Sequence, residues 1–134
     1  MLGKISVRKF KPKTVKTGIE TTMRKMDLQE AFVEQNPNLS KLQEECKGKQ
    51  LSINVTFYLN ENTPDKTSYK KDLDNLLKIL MDVIKEEMDD DDKKIGLGLV
   101  IGNKDEEIFE IICHKEFVQS EDDEGIDLVL SEWK

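Results

Sequence analysis

Histidine occurs once in this 134-residue chain, at His114, and cysteine twice, at Cys46 and Cys113. With that one histidine in a predicted strand no Ser/His/Asp or Cys/His arrangement can be argued, and two distant cysteines make no metal-binding spacing. Both thiols are expected to be free and buried, because a reducing compartment disfavours a bridge. His114 lies in an apolar run beside Cys113, where a structural or surface role is the plain expectation. No apolar run approaches the ~20 residues that span a bilayer, and the start of the chain lacks the apolar stretch of a signal peptide. A cytoplasmic protein without membrane contact is therefore expected. Internal repeats are absent. Gly96 and Gly98 precede no helix N-terminus, so they do not read as a phosphate loop.

Charge is abundant but unevenly placed. The net charge is −7, which argues against a general nucleic-acid binder. Yet residues 1–25 hold eight Lys and Arg against Glu20 alone, while residues 26–134 hold thirteen against twenty-seven acids. A basic patch for phosphates beside an acidic metal site would have this polarity, and so would a chain that uses charge only for solubility.

At this length one domain covering residues 1–134 is expected. Ile5, Val7 and Phe10 alternate with Lys4, Ser6 and Arg8, which reads as a half-buried strand ended by Pro12. Residues 13–25 read as a basic loop bending at Gly18. Asp27 with Glu30 makes a capping box for a helix carrying Leu28, Ala31 and Phe32. Beyond Pro37, Asn38–Ser40 restarts a helix through Cys46 that Gly48 stops. Leu51–Leu59 alternates without a break and is the clearest strand. A third helix is predicted to run from about Asp72 to near Met88. Ile95–Ile101 then reads as one short strand, paired as an antiparallel hairpin with Glu107–Phe117. The acidic tail 118–134 is expected to be loose, with Ile126, Leu128, Leu130 and Trp133 available for packing. The order β-α-β-α-β-β predicts an α+β fold, a mixed or antiparallel sheet with two or three helices packed on it.

The third helix organises the chain. Leu73, Leu76, Leu77, Leu80 and Ile84 fall on one face, and Asp74, Lys78 and Asp82 recur every four residues on the other. Asp72 and Asp74 read most simply as caps for the helix N-terminus, worth ~1 kcal/mol, although a cap needs one Asp. Asp89–Asp92 follow the helix. A run of like charges is usually a solvated loop, whereas a divalent cation would turn its repulsion into coordination. Mg²⁺ takes oxygen ligands of this kind. Lys78 is either the i+4 partner of Asp74 and Asp82 or an ammonium poised for a scissile phosphate.

The segment Lys71-Asp72-Leu73-Asp74-Asn75-Leu76-Leu77-Lys78, then Asp82, then paired aspartates before a strand beginning at Ile95, resembles the RusA family of Holliday-junction resolvases. These are phage- and prophage-associated endonucleases of DNA recombination and repair. The resemblance covers roughly residues 50–115, with Lys11-Pro12 a weak echo of the family's early proline-containing loop. It implies metal ligands at Asp72, Asp74 and Asp92, with Asp91 beside it, and an essential lysine at Lys78. It implies a homodimer that cuts two opposed strands of a four-way DNA junction with Mg²⁺, for which Mn²⁺ can substitute, and no small-molecule substrate. Arg8, Lys9, Lys11, Lys13 and Lys16 would carry phosphate binding, with Lys66, Lys70 and Lys71 near the cut. Four aspartates followed by Lys93 and Lys94 depart from the family's pattern, and counting back from Ile95 favours Asp92 as the ligand. A non-cleaving module of the same fold, binding branched DNA or a protein, is the alternative.

Overall fold

The computed structural model describes residues 1–12, 18–62, 73–88, 94–101 and 107–134. Four strands form the main sheet: β1 (Gly3–Arg8), β2 (Leu51–Asn60), β6 (Ile108–Val118) and β7 (Gly125–Glu132), in the order β1-β7-β2-β6. The helices are α1 (Gly18–Gln35), α2 (Leu39–Cys46) and α3 (Leu73–Ile84). A second, small sheet joins β3 (Lys85–Met88), β4 (Lys94–Ile95) and β5 (Val100–Ile101) in the order β4-β3-β5. The fold is α+β, with a mixed four-stranded sheet and three helices.

Period-two alternation builds the sheet. Ile5, Leu128, Val55 and Cys113 lie in one cross-strand row, and Ser6, Asp127, Thr56 and His114 in the next. Successive residues face opposite sides of a sheet, so one face is apolar and the other polar. On the apolar face all five odd residues of β2, from Leu51 to Leu59, are fully buried. Leu28 and Phe32 of α1, Leu39, Leu42 and Cys46 of α2, and Leu76, Ile79, Leu80, Val83 and Ile84 of α3 join Leu51, Ile53, Val55 and Phe57 in one core. Burying a side chain of this size is worth about 2 kcal/mol, so the apolar face is what holds the three helices down.

Four expectations are corrected. The helix expected to begin at Asp27 begins at Gly18, so the basic loop of residues 13–25 gives way to helix over its second half. Asp27 is an exposed mid-helix residue, and the stripe Leu28, Ala31, Phe32 continues backward to the half-buried Arg24.

The helix expected to reach Met88 ends at Ile84 because its last carbonyls are captured by another segment. The backbone N–H groups of Leu97, Gly98 and Leu99 donate to the carbonyls of Val83, Lys85 and Ile84 at 2.7, 3.4 and 2.9 Å. These are the acceptors a helix C-terminus leaves open.

The same contact breaks the strand expected over Ile95–Ile101. Gly96 and Gly98 take φ of 94° and 66°, and a Cβ at Gly96 would lie 1.8 Å from the Lys85 carbonyl oxygen. What remains is β4 and β5, which pair with β3 rather than with Glu107–Phe117. That stretch, as β6, lies parallel to β2. The long path through α3 and the small sheet supplies the crossover that parallel neighbours require.

The acidic tail is not loose. Its second half is β7, paired antiparallel with both β1 and β2, and Ile126, Leu128 and Leu130 are buried. Its acids cluster before the strand, in a 3-10 turn at Glu121–Asp123 that the Ser120 side chain caps.

Both cysteines are free thiols; Cys46 is buried and Cys113 half-buried. Among the described residues no helix is long and apolar enough to cross a membrane.

Candidate functional site

On α3, Leu76, Leu80 and Ile84 of the expected face are buried together with Ile79 and Val83, while Leu73 and Leu77 are only half-buried at its margin. Asp74 and Lys78 are exposed one turn apart on the free face. Neither has an ion-pair partner among the described residues, although i, i+4 spacing would allow the two to meet. Asp82, the third member of the row, is engaged elsewhere: Lys25 Nζ of α1 lies 2.7 Å from one carboxyl oxygen and Lys85 Nζ 4.0 Å from the other. Lys25 therefore ties α1 to α3, and Asp82 is a structural carboxylate.

Asp72, Asp89, Asp90, Asp91 and Asp92 lie outside the described residues, so the proposed ligand set is represented by Asp74 alone. What surrounds the run is described. Met88 pairs with Lys94 and Glu87 with Ile95, so residues 89–93 connect two antiparallel strands directly after α3. Among the described residues no group of three or more His, Cys, Asp or Glu side chains could hold a metal ion.

Of the basic residues, Lys13, Lys16, Lys66, Lys70 and Lys71 also lie outside the described residues. Lys9 is exposed and takes a left-handed φ of 56° as β1 ends. Lys11 is half-buried, and its carbonyl accepts from Arg24 Nη2 at 2.5 Å. Arg8 is committed within the protein, to a cluster that sequence reasoning missed.

That cluster centres on Asp127, in the middle of β7 on the polar face. Ser6 Oγ donates to its Oδ1 at 2.7 Å and Tyr58 OH to its Oδ2 at 2.8 Å. Arg8 Nη2 lies 2.9 Å from Oδ1, and Lys4 Nζ 3.5 Å from Oδ2. Burial works to raise the Asp127 pKa, but the hydrogen bonds from Ser6, Tyr58 and Arg8, with the Arg8 charge, outweigh it and hold the carboxyl below its ordinary range. Burial and the bond to Asp127 push the Tyr58 phenol up. With both oxygens occupied, Asp127 is a clamp across β1, β7 and β2 rather than a ligand awaiting a metal. The signal for it was a lone Asp amid Ile126, Leu128 and Leu130, a charge that an apolar strand keeps only if partners are supplied.

His114, expected to be structural or at the surface, is both. Its Nε2 lies 3.0 Å from Thr56 Oγ1 on the neighbouring strand, and the ring is about half exposed. No family model, curated protein or solved structure matches this chain.

Proposed function

We propose that this chain is a RusA-like, Mg²⁺-dependent endodeoxyribonuclease that acts as a homodimer on four-way DNA junctions. The observation that carries the reading is the free face of α3. An Asp and a Lys stand exposed one turn apart without partners among the described residues, inside the Asp-x-Asp-Asn-x-x-Lys pattern that begins at Asp72. An exposed Asp74 carboxylate, unpaired among the described residues, fits a hard cation, as would Asp72, Asp91 and Asp92, since all offer oxygen only. Bound Mg²⁺, or Mn²⁺ in its place, would supply an activated water and a clamp on the phosphate. Lys78 would hold the phosphate and offset charge developing on it during cleavage.

The DNA surface in this reading is narrower than the basic N-terminal segment suggested. Arg8 is spent on Asp127, leaving Lys9, Lys11, Lys13 and Lys16, with Lys70 and Lys71 near the cut. The reading includes a cytoplasmic location.

The test is a synthetic four-way junction incubated with the purified chain. With Mg²⁺, symmetric paired nicks leaving 5′-phosphate ends are expected, and Asp74→Asn should bind the junction without cutting it. A wild type and a variant equally inert with Mg²⁺ and Mn²⁺ across several junction sequences would refute the nuclease. Binding that is indifferent to metal and never followed by cleavage would select the non-cleaving module instead.

A further inference from the structure

Helix α1 has two apolar sides. Leu28 and Phe32 are buried in the core. Met23, Met26 and Val33 are each between 53% and 60% accessible. At ~100° per residue these three fall within about 80° of arc, on the side away from Leu28 and Phe32. A lone exposed apolar side chain needs no explanation. A stripe of them on a helix whose other side already fills the core makes a second face.

Charge on the helix is sorted in the same way. Over the residues whose side chains are described, its two bases both turn into the protein. Arg24 donates to the Lys11 carbonyl and lies over the Phe10 ring at 4.6 Å, and Lys25 reaches Asp82 on α3. Its three acids, Asp27, Glu30 and Glu34, are exposed. They fall within about 60° of arc that overlaps the apolar stripe. The outer face of α1 is thus apolar, edged with carboxylates and without a base of its own.

We propose that this face docks a basic amphipathic helix of a partner protein. Such a helix lays apolar residues spaced three and four apart onto a stripe of this kind. Met23 and Met26 are unbranched and reshape around what they meet. The partner's Lys and Arg would face Asp27, Glu30 and Glu34, which speeds encounter and fixes the partner's orientation. The same charges reject other occupants. DNA phosphates and anionic lipids would be repelled, and a second copy of this face would double the carboxylates while adding no ammonium. Neither DNA nor metal enters this docking, so it stands or falls apart from the nuclease.

The experiment titrates the full chain with a synthetic lysine–leucine amphipathic helix of about the length of α1, and with a glutamate–leucine counterpart as control. Calorimetry near physiological salt gives the affinity and methionine-methyl NMR the location. The lysine peptide is expected to bind and the glutamate peptide not. Of the five methionine methyl signals, those of Met23 and Met26 should move most. Met23→Ser/Met26→Ser should weaken binding at least about tenfold. Asp27→Lys/Glu30→Lys/Glu34→Lys should exchange the preference, so that the glutamate peptide binds instead. Glu44→Lys/Glu121→Lys/Glu132→Lys makes the same change of charge at exposed acids elsewhere, and should leave the affinity within about twofold of wild type. Circular dichroism confirms that each variant folds. No binding of the lysine peptide would overturn the proposal. So would an equal loss in the two charge variants, since the overall acidity of the chain would then hold the peptide. Self-association that Met23→Ser/Met26→Ser abolishes would overturn it too, by giving the face to a second copy.

Discussion

Arg8 and Tyr58 face one another across Gly125. The guanidinium carbon lies 4.6 Å from the ring centroid, and the residue registered with both, in the strand between them, has no side chain. Gly125 also leaves no room for a side chain against β1: a Cβ there would lie 1.8 Å from the Val7 carbonyl oxygen. Gly125→Ala should therefore push β7 away from β1, for about 2–3 kcal/mol of stability. Urea unfolding followed by Trp133 fluorescence measures it; a loss below about 0.5 kcal/mol would contradict the close approach.

Asp127 makes stability depend on acid. Its folded pKa lies below the ordinary 3.8, so its contribution is present above pH ~4 and disappears as pH falls through the folded value. Asp127→Asn should lower stability at pH 7 by about 1–2 kcal/mol, discounted because Arg8 and Lys4 are partly solvated. The variant's acid limb should also be shallower than that of wild type. Parallel acid limbs in pH-dependent unfolding would show that the cluster does not act through its charge.

Asn36→Ala should cost about 2–3 kcal/mol. It removes two bonds to Ser6 and a third to the Phe32 carbonyl at 2.8 Å; the Phe32 carbonyl keeps the backbone N–H of residue 36, but the part-buried N–H and carbonyl of Ser6 lose their side-chain partner. It also opens the β1 edge, so light scattering during refolding should rise with protein concentration. Unchanged scattering would mean that the amide seal does not guard this edge.

Asp74→Asn and Lys78→Ala should separate function from folding. Both side chains are exposed and unpaired among the described residues, so each change should stay within about 0.5 kcal/mol of wild-type stability. Junction cleavage should nevertheless fall at least a hundredfold in each, and chelation of divalent metal should abolish it in wild type. Large destabilisation would assign these residues to the architecture instead.

Most of the fold could be read from local pattern, and the exceptions share a physical cause. The alternation of β2 appears in the structure as its spacing predicts, and so does the centre of the α3 stripe at Leu76, Leu80 and Ile84, with Leu73 and Leu77 at its half-buried margin, because each element carries its own burial code. The end of α3 does not: what stops it is the Leu97–Leu99 backbone, held in turn by Gln29 of α1 at Gly96 and by Gln43 of α2 at Leu97. No residue near Ile84 announces a stop supplied from elsewhere. β7 was obscured by the acids ahead of it and by Asp127, whose partners Ser6, Arg8 and Tyr58 come from two distant segments. Asp27 and Glu30 formed a capping pattern inside a longer helix, where the apolar stripe prevailed. At the candidate site, the separation of Asp74 and Lys78 from the buried face was legible, whereas the engagement of Asp82 by Lys25 needed the approach of α1.

Placing β7 between β1 and β2 also sets a timetable for synthesis. The first two strands of the sheet are made early, yet they touch only through a strand translated after everything between them. At ordinary elongation rates they wait several seconds on the ribosome with their apolar faces unmatched. Until residues 125–132 have emerged β1 cannot join β2, even though β6 can already pair with β2, so the nascent chain should depend on a holding chaperone more than its modest size suggests.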